Sequence, residues 1–330
     1  MEKMIDADLI GIGKLLKQSR FSVPPHQRPY AWPEGQVMDL YRYINDALKR
    51  NKEEYFLGTI VLAKGDDGRL SIIDGQQRLV TTSILIAAIR DYFDANGQKD
   101  RAREIEREYL SKRDIRAMED TAHLHLIPED RDFFVKRVVR AHGHADRDTL
   151  PTSPAQQRIA RAIELAAGFV DGITKTTQNA DDALLDLLAF LDEQGKLISM
   201  AVGDEANAFV IFEVLNDRGL DLSVSDLLKN FIFRHAGDRL AEAQNAWQRM
   251  SNTITDVAEE PDIKVFIRQA WIATHGLTRE KQLYDAIKRQ VTNKQKAIEY
   301  IKGLGEDALV YAALRNPRAR AVGPVRGRGC

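Results

Sequence analysis

One stretch constrains this chain more than any other: Leu70-Ser71-Ile72-Ile73-Asp74-Gly75-Gln76-Gln77-Arg78-Leu79-Val80-Thr81-Thr82. Leu70, Ile72 and Ile73 favour a strand, Asp74-Gly75 punctuates, and Leu79, Ile84, Leu85, Ala88 and Ile89 recur at helical spacing as far as Tyr92 and Phe93. The pattern predicts strand, turn and helix in immediate succession, with the polar cluster at the helix N-terminus. There the first backbone N–H groups lack intrahelical partners and the helix dipole favours an anion, so Gln76, Gln77 and Arg78 surround a natural phosphate site. The plainer alternative is that Asp74 caps the helix and Arg78 pairs with a surface carboxylate.

The segments before it sharpen the choice. Tyr55 to Ala63 reads as a strand, Lys64 to Gly68 as a turn and Arg69 to Ile73 as the return strand, a hairpin feeding the Asp74 turn. Further upstream, Val23-Pro24-Pro25-His26-Gln27-Arg28-Pro29-Tyr30-Ala31-Trp32-Pro33 holds four prolines, which fix an extended backbone and present side chains at set angles. Gln27 and Arg28 are its polar members, and Tyr30 and Trp32 are core anchors or a stacking face. Ile10 to Leu16 reads as a short helix, Phe21 to Val23 as a brief strand, and Glu34 to Lys49 as a helix with Val37, Leu40, Tyr41, Ile44 and Leu48 on one face.

Lys99 to Met118 reads as one charged helix, His123 to Ile127 as an edge strand and Asp130 to Val139 as a helix. The pairs His123/His125 and His142/His144 have a spacing that two metal ligands on a strand could use, but no carboxylate completes either set. Beyond a break at residues 141–153, helices are expected over 154–169 and 183–191, a strand over 196–202 and a helix over 205–215. A second polar helix end follows: Asn216-Asp217-Arg218-Gly219, then Ser223 or Ser225 as a cap for Asp226-Leu227-Leu228-Lys229-Asn230. From Leu240 the pattern is helical over 240–251, 261–274, 278–290 and 294–314, and residues 315–330 form an Arg-rich tail expected to be disordered.

Composition sets the outer limits. Hydrophobic residues at 44% and charged residues at 29% describe a globular protein able to bury a core, and 330 residues allow more than one lobe. Lys+Arg 48 against Asp+Glu 49 leaves a net charge of −1, so any basic surface must be local. The single cysteine, Cys330, excludes an internal disulfide. With neither a secretory leader nor a long apolar span, a cytoplasmic location is expected.

Taken together and in this order, the Pro-rich motif, Ile73-Asp74-Gly75-Gln76-Gln77-Arg78-Leu79, and Phe212-Glu213-Val214-Leu215-Asn216-Asp217-Arg218-Gly219 with Asp226 to Asn230 resemble one family. It is the family that builds the N-terminal domain of the S half of GmrSD-type modification-dependent restriction systems and the sensor part of SspE. The resemblance covers roughly residues 10–235 and implies an α+β fold: a small ParB-like β-sheet with helices, followed by a mostly helical region. The expected divisions are 1–150 for the ParB-like domain, 151–235 for a helical extension that completes the site, 236–314 for a C-terminal helical region and 315–330 for the tail.

The same resemblance implies binding and hydrolysis of a nucleoside triphosphate, GTP or another, with Mg²⁺, in a phage-defence system that acts on modified DNA. It places Asp74, Gln76, Gln77 and Arg78 in catalysis, Gln27, Arg28, Gly75, Asn216, Asp217 and Arg218 around the nucleotide, and Asp74 on the metal. Arg28 and Arg78 would meet phosphate oxygens, and Gln76 or Gln77 would orient a water. The implied partners are DNA, a nuclease subunit and a second copy of the chain as a homo-oligomer, with no membrane. No strand–His–strand–Asn–helix pattern follows residue 235, so either a partner supplies cleavage or the chain is a shortened relative. The alternatives to a nucleotide-dependent sensor are a binding module that reads modified DNA without turnover and a partner-dependent nuclease component.

Overall fold

The computed structural model describes residues 5–50, 54–65, 68–114, 119–203, 224–257 and 263–315. The expected helix over 205–215, the Asn216-Asp217-Arg218-Gly219 motif, the Ser223 cap and the tail over 316–330 lie outside the described residues. The chain divides into two compact units, residues 1–208 and 209–330.

The first unit is built on a mixed six-stranded sheet and helices, an α+β arrangement. Its strands are β1 (Ile5–Gly11), β2 (Phe21–Ser22), β3 (Tyr55–Lys64), β4 (Leu70–Asp74), β7 (Leu124–His125) and β8 (Gly195–Val202), in the order β1-β8-β3-β4-β2-β7. β5 (Ser111–Asp114) and β6 (Glu119–Ala122) form a separate antiparallel pair. β3 and β4 make the expected antiparallel hairpin, while β8, far along the chain, inserts between β1 and β3. The compositional break at residues 141–153 therefore lies inside this unit.

Helices α1 (Ile12–Gln18), α2 (Glu34–Lys49), α3 (Gln76–Ala95), α4 (Lys99–Ile105), α5 (Pro128–Phe134), α6 (Pro154–Thr176) and α7 (Ala180–Glu193) belong to the same unit. α2 is amphipathic as read, burying Val37, Leu40, Tyr41, Ile44 and Ala47. α3 is buried nearly all round and forms the unit's central helix, since Leu79, Val80, Leu85, Ile89 and Phe93 are each fully enclosed. Even Arg90 is enclosed. Its guanidinium donates to Asp91, to Glu106 and to the carbonyls of Val138 and Val139, tying α3 to two π-helical turns over 106–110 and 135–139.

Two local expectations are corrected. Residues 5–11 form strand β1, and the first helix starts only at Ile12, because β1 finds its partner in β8 and pairs with it along its whole length. The charged segment 99–118 is not one helix: α4 ends at Ile105, a π-turn follows, and β5 begins at Ser111.

The second unit contains α8 (Val224–Ala236), α9 (Leu240–Thr255), α10 (Ile263–His275), α11 (Glu280–Gln290) and α12 (Lys294–Arg315). Leu228, Ile232, Phe233, Trp247, Phe266, Leu283, Ile287 and Ile301 fill its interior. Among the described residues, no helix is long and apolar enough to cross a membrane.

Candidate functional site

Two irregularities in the sheet shape the turn between β4 and α3. Opposite β4, Val61 aligns with Asp74 but Leu62 aligns with Ile72, so Ile73 is the extra residue of a bulge. A bulged residue leaves the ladder, and the carbonyl of Ile73 instead accepts a hydrogen bond from Gln27 Nε2 at 3.1 Å. Against β8, β3 slips between Phe56 and Thr59, a second bulge that contains Gly58.

Asp74 ends β4 half-buried, and Gly75 turns the chain with φ +93°, a left-handed conformation that suits glycine. Space demands glycine as well, because a Cβ at Gly75 would stand 2.8 Å from Ile60 Cγ1. α3 starts at once. As the N-cap, Gly75 offers no side chain to the first turn, which also holds no acidic residue. Leu79 N–H is bonded to Gly75 O at 3.2 Å, the first bond of the helix ladder, so the N–H groups of Gln76, Gln77 and Arg78 have no intrahelical acceptor.

The three side chains of that first turn have different fates. Gln77, 7% exposed, is held at both ends of its amide: Oε1 accepts from the N–H groups of Ala31 at 2.9 Å and Trp32 at 3.3 Å, and Nε2 donates to Pro29 O at 3.4 Å. It clamps the Pro-rich segment onto α3. Arg78 donates from Nη1 to Thr59 O at 3.0 Å, and its guanidinium lies against Gly58. Gln76 is 8% exposed, and its Nε2 is a buried donor with no acceptor among the described residues.

The Pro-rich segment is fixed by more than Gln77. Tyr30 Oη and Thr81 Oγ1 are hydrogen-bonded at 2.8 Å, and Thr81 Oγ1 also donates to Gln77 O. Burial pushes the Tyr30 hydroxyl up to about 12, so it stays protonated and available to this network. Trp32 is half-buried, His26 is buried and Arg28 is exposed on the same segment.

The structure thus brings Gln27 to the bulge before Asp74, and lays Pro29, Ala31 and Trp32 over Gln77. The positions of Asn216, Asp217 and Arg218 lie outside the described residues. Sequence reasoning passed over Gly58, Thr59 and Thr81. Gly58 carried a usable signal, since an isolated glycine inside a strand pattern marks a bulge or a close approach. His123 and His125 are engaged separately from this turn: His123 Nδ1 is 2.8 Å from Leu16 O, and burial with nearby Arg69 and Arg131 takes His125 down to about 4.

The comparisons with known proteins can now be set beside this geometry. A family model described as GmrSD restriction endonuclease, N-terminal domain, matches residues 12–233, which include β2 through β8 and the whole β4–α3 turn. No curated protein matches the chain.

Proposed function

Because the chain belongs to the family of the GmrSD restriction endonuclease N-terminal domain, and so is a component of a DNA restriction system, we propose that it is the nucleotide-dependent sensor or regulatory subunit of a system acting on modified DNA. The observation that carries this reading is the buried Nε2 of Gln76, without an acceptor among the described residues, beside a helix start whose N-cap glycine supplies no side-chain cap. A buried donor left unsatisfied costs about 1–3 kcal/mol, and an acceptor-rich ligand removes that cost. Phosphate oxygens suit it, since the N–H groups of the first turn of α3 face the same need.

In this reading Gln76 and the first-turn N–H groups bind phosphate oxygens. Arg78 spends one N–H on Thr59 O, which fixes the guanidinium and leaves further donors of its planar fork for an anion. Gln27 and Gln77 position the Pro-rich segment, and Arg28 is carried on it as an exposed second cation. Asp74 fits a role in holding Mg²⁺, or the water of the reaction, at the rim of the turn. A bound Mg²⁺ would neutralise developing phosphate charge. Asn216, Asp217 and Arg218, which lie outside the described residues, are assigned to the nucleotide by the resemblance alone, and a nuclease subunit supplies cleavage.

A second reading, a modified-DNA binding module without turnover, draws on Gln77. Its amide is occupied at both ends by backbone groups, so it holds structure and does not orient a water.

The test is phosphate release from GTP, ATP, CTP and UTP with Mg²⁺, for the wild type, Asp74→Ala, Gln76→Ala and Arg78→Ala, with and without modified DNA. Turnover by the wild type that all three folded variants lose supports the sensor reading. Absence of turnover under every condition hands the site to the binding module.

A further inference from the structure

Residues 263–296, outside the family match, hold eight Lys or Arg and only two Asp or Glu in a chain whose net charge is −1. The structure gathers much of this charge around one turn. α10 ends at His275, the link Gly276 to Arg279 follows, and α11 begins at Glu280. His275 stacks on Trp271 with centroids 3.9 Å apart, and its Nε2 lies 2.7 Å from Gln290 Nε2. Trp271 Nε1 donates to Thr278 Oγ1 at 3.0 Å, pinning the link to α10. The contact between His275 and Gln290 brings the last turn of α11, with Lys288 and Arg289, back toward the link that carries Arg279.

Within this unit Arg239 and Lys302 pair with Glu242, and Lys294 pairs with Asp238. Arg279 and Arg289, both exposed, make no ion pair among the described residues. Leu277, on the link just before Arg279, is 88% exposed. Along α11, Arg279 and Arg289 are separated by about 15 Å at ~1.5 Å per residue, a span of roughly four base-pair steps of duplex. Solvated cations alone would not require a stacked, hydrogen-bonded turn to hold them together.

We propose that the α10–α11 turn, with the exposed Arg279, Arg289 and Leu277 and with Lys288, whose ammonium lies over the Tyr284 and Phe231 rings, is a phosphate-backbone contact surface for DNA. The inference rests on membership in a DNA restriction family and does not depend on nucleotide turnover. Cations tracking phosphates supply sequence-independent affinity, and a protruding apolar side chain suits a groove contact.

The experiment uses the full chain and a fluorescent, unmodified duplex, with binding followed by anisotropy across a salt series. The variants are Arg279→Glu/Lys288→Glu/Arg289→Glu, the milder Arg279→Gln/Arg289→Gln, and a charge-matched control, Arg103→Glu/Arg107→Glu/Lys175→Glu, in the first unit. The triple variant should lose on the order of tenfold or more in affinity, and each lost phosphate contact should reduce the slope of log K against log salt by about 0.9. The glutamine pair should lower the slope by about 2 while melting like the wild type, and the control should change affinity by less than about twofold. Equal losses in the triple variant and the control, an unchanged slope in the glutamine pair, or no duplex binding by the wild type would each overturn the proposal. Phosphate release measured on the same triple variant separates this surface from the nucleotide site: it should be retained while duplex binding falls.

Discussion

The guanidinium of Arg78 lies against the backbone of Gly58, where a Cβ would stand 3.0 Å from Arg78 Cζ and where φ is +111°. The sequence marks Arg78 only as a candidate phosphate ligand, and its seat is made by a bulge in a different strand, β3. Gly58→Ala should therefore both strain the bulge, at about 1–2 kcal/mol, and push the guanidinium from Thr59 O. We expect a melting temperature a few degrees lower and, on the proposed function, phosphate release reduced as far as in Arg78→Ala. Full activity in a folded Gly58→Ala protein would separate Arg78 from the chemistry.

Gln77 tests the division between holding and reacting. Gln77→Ala removes three hydrogen bonds to Pro29, Ala31 and Trp32 and leaves the part-buried N–H groups of Ala31 and Trp32 without this acceptor, a loss of about 2–4 kcal/mol. Proteolysis should then cut within residues 24–33 faster than in the wild type. Gln77→Glu keeps the two accepted bonds and should recover much of the protection; if it does not, the clamp assignment is wrong.

Arg90 supplies a stability test remote from the site. Its guanidinium is 1% exposed and is shared among two carboxylates and two carbonyls. Burial raises the Glu106 carboxyl and Arg90 opposes the shift, so removing the cation leaves that acid poorly compensated. Arg90→Met should cost about 3–5 kcal/mol in chemical denaturation, and much of this should return at low pH, where Glu106 is protonated. An Arg90→Met protein as stable as the wild type would contradict the role of Arg90 as the tie between α3 and the π-turns.

Stability should also fall with acid through two histidines. Burial lowers His123, whose Nε2 has no partner among the described residues, and burial with Arg69 and Arg131 lowers His125 to about 4. Both are neutral in the native protein, whereas in the unfolded chain they take up protons below about 6.5. The native state gains nothing by protonation there, so stability declines from about pH 6.5 downward, by up to about 1.4 kcal/mol per pH unit for each histidine. For His125 the decline ends near pH 4. Melting curves across this range should show it, and His125→Gln should flatten it; a slope unaltered in that variant would remove His125 from the account.

Local patterns carried a large part of the first unit. The hairpin of β3 and β4, the turn at Asp74-Gly75, the start of α3 and the apolar face of α2 all follow from side-chain period and turn chemistry within a few residues, and each stands where the sequence puts it. Strand β1 does not. Ile5-Asp6-Ala7-Asp8-Leu9 alternates apolar and polar residues, a strand signal the sequence reading passed over, and the segment pairs with β8, nearly two hundred residues away.

The site divides in the same way. Which residue types gather at a helix start was written in Asp74 to Arg78, and helix geometry leaves the first N–H groups without intrahelical partners wherever such a helix begins. What each side chain does there was decided by tertiary structure. Gln76 and Gln77 are neighbours of one type, yet Gln77 faces the backbone of the Pro-rich segment and is consumed by it, while Gln76 is buried with its donor unmet among the described residues. Only the packing of residues some fifty positions apart distinguishes them, and no local pattern encodes which of two adjacent amides a distant backbone will claim.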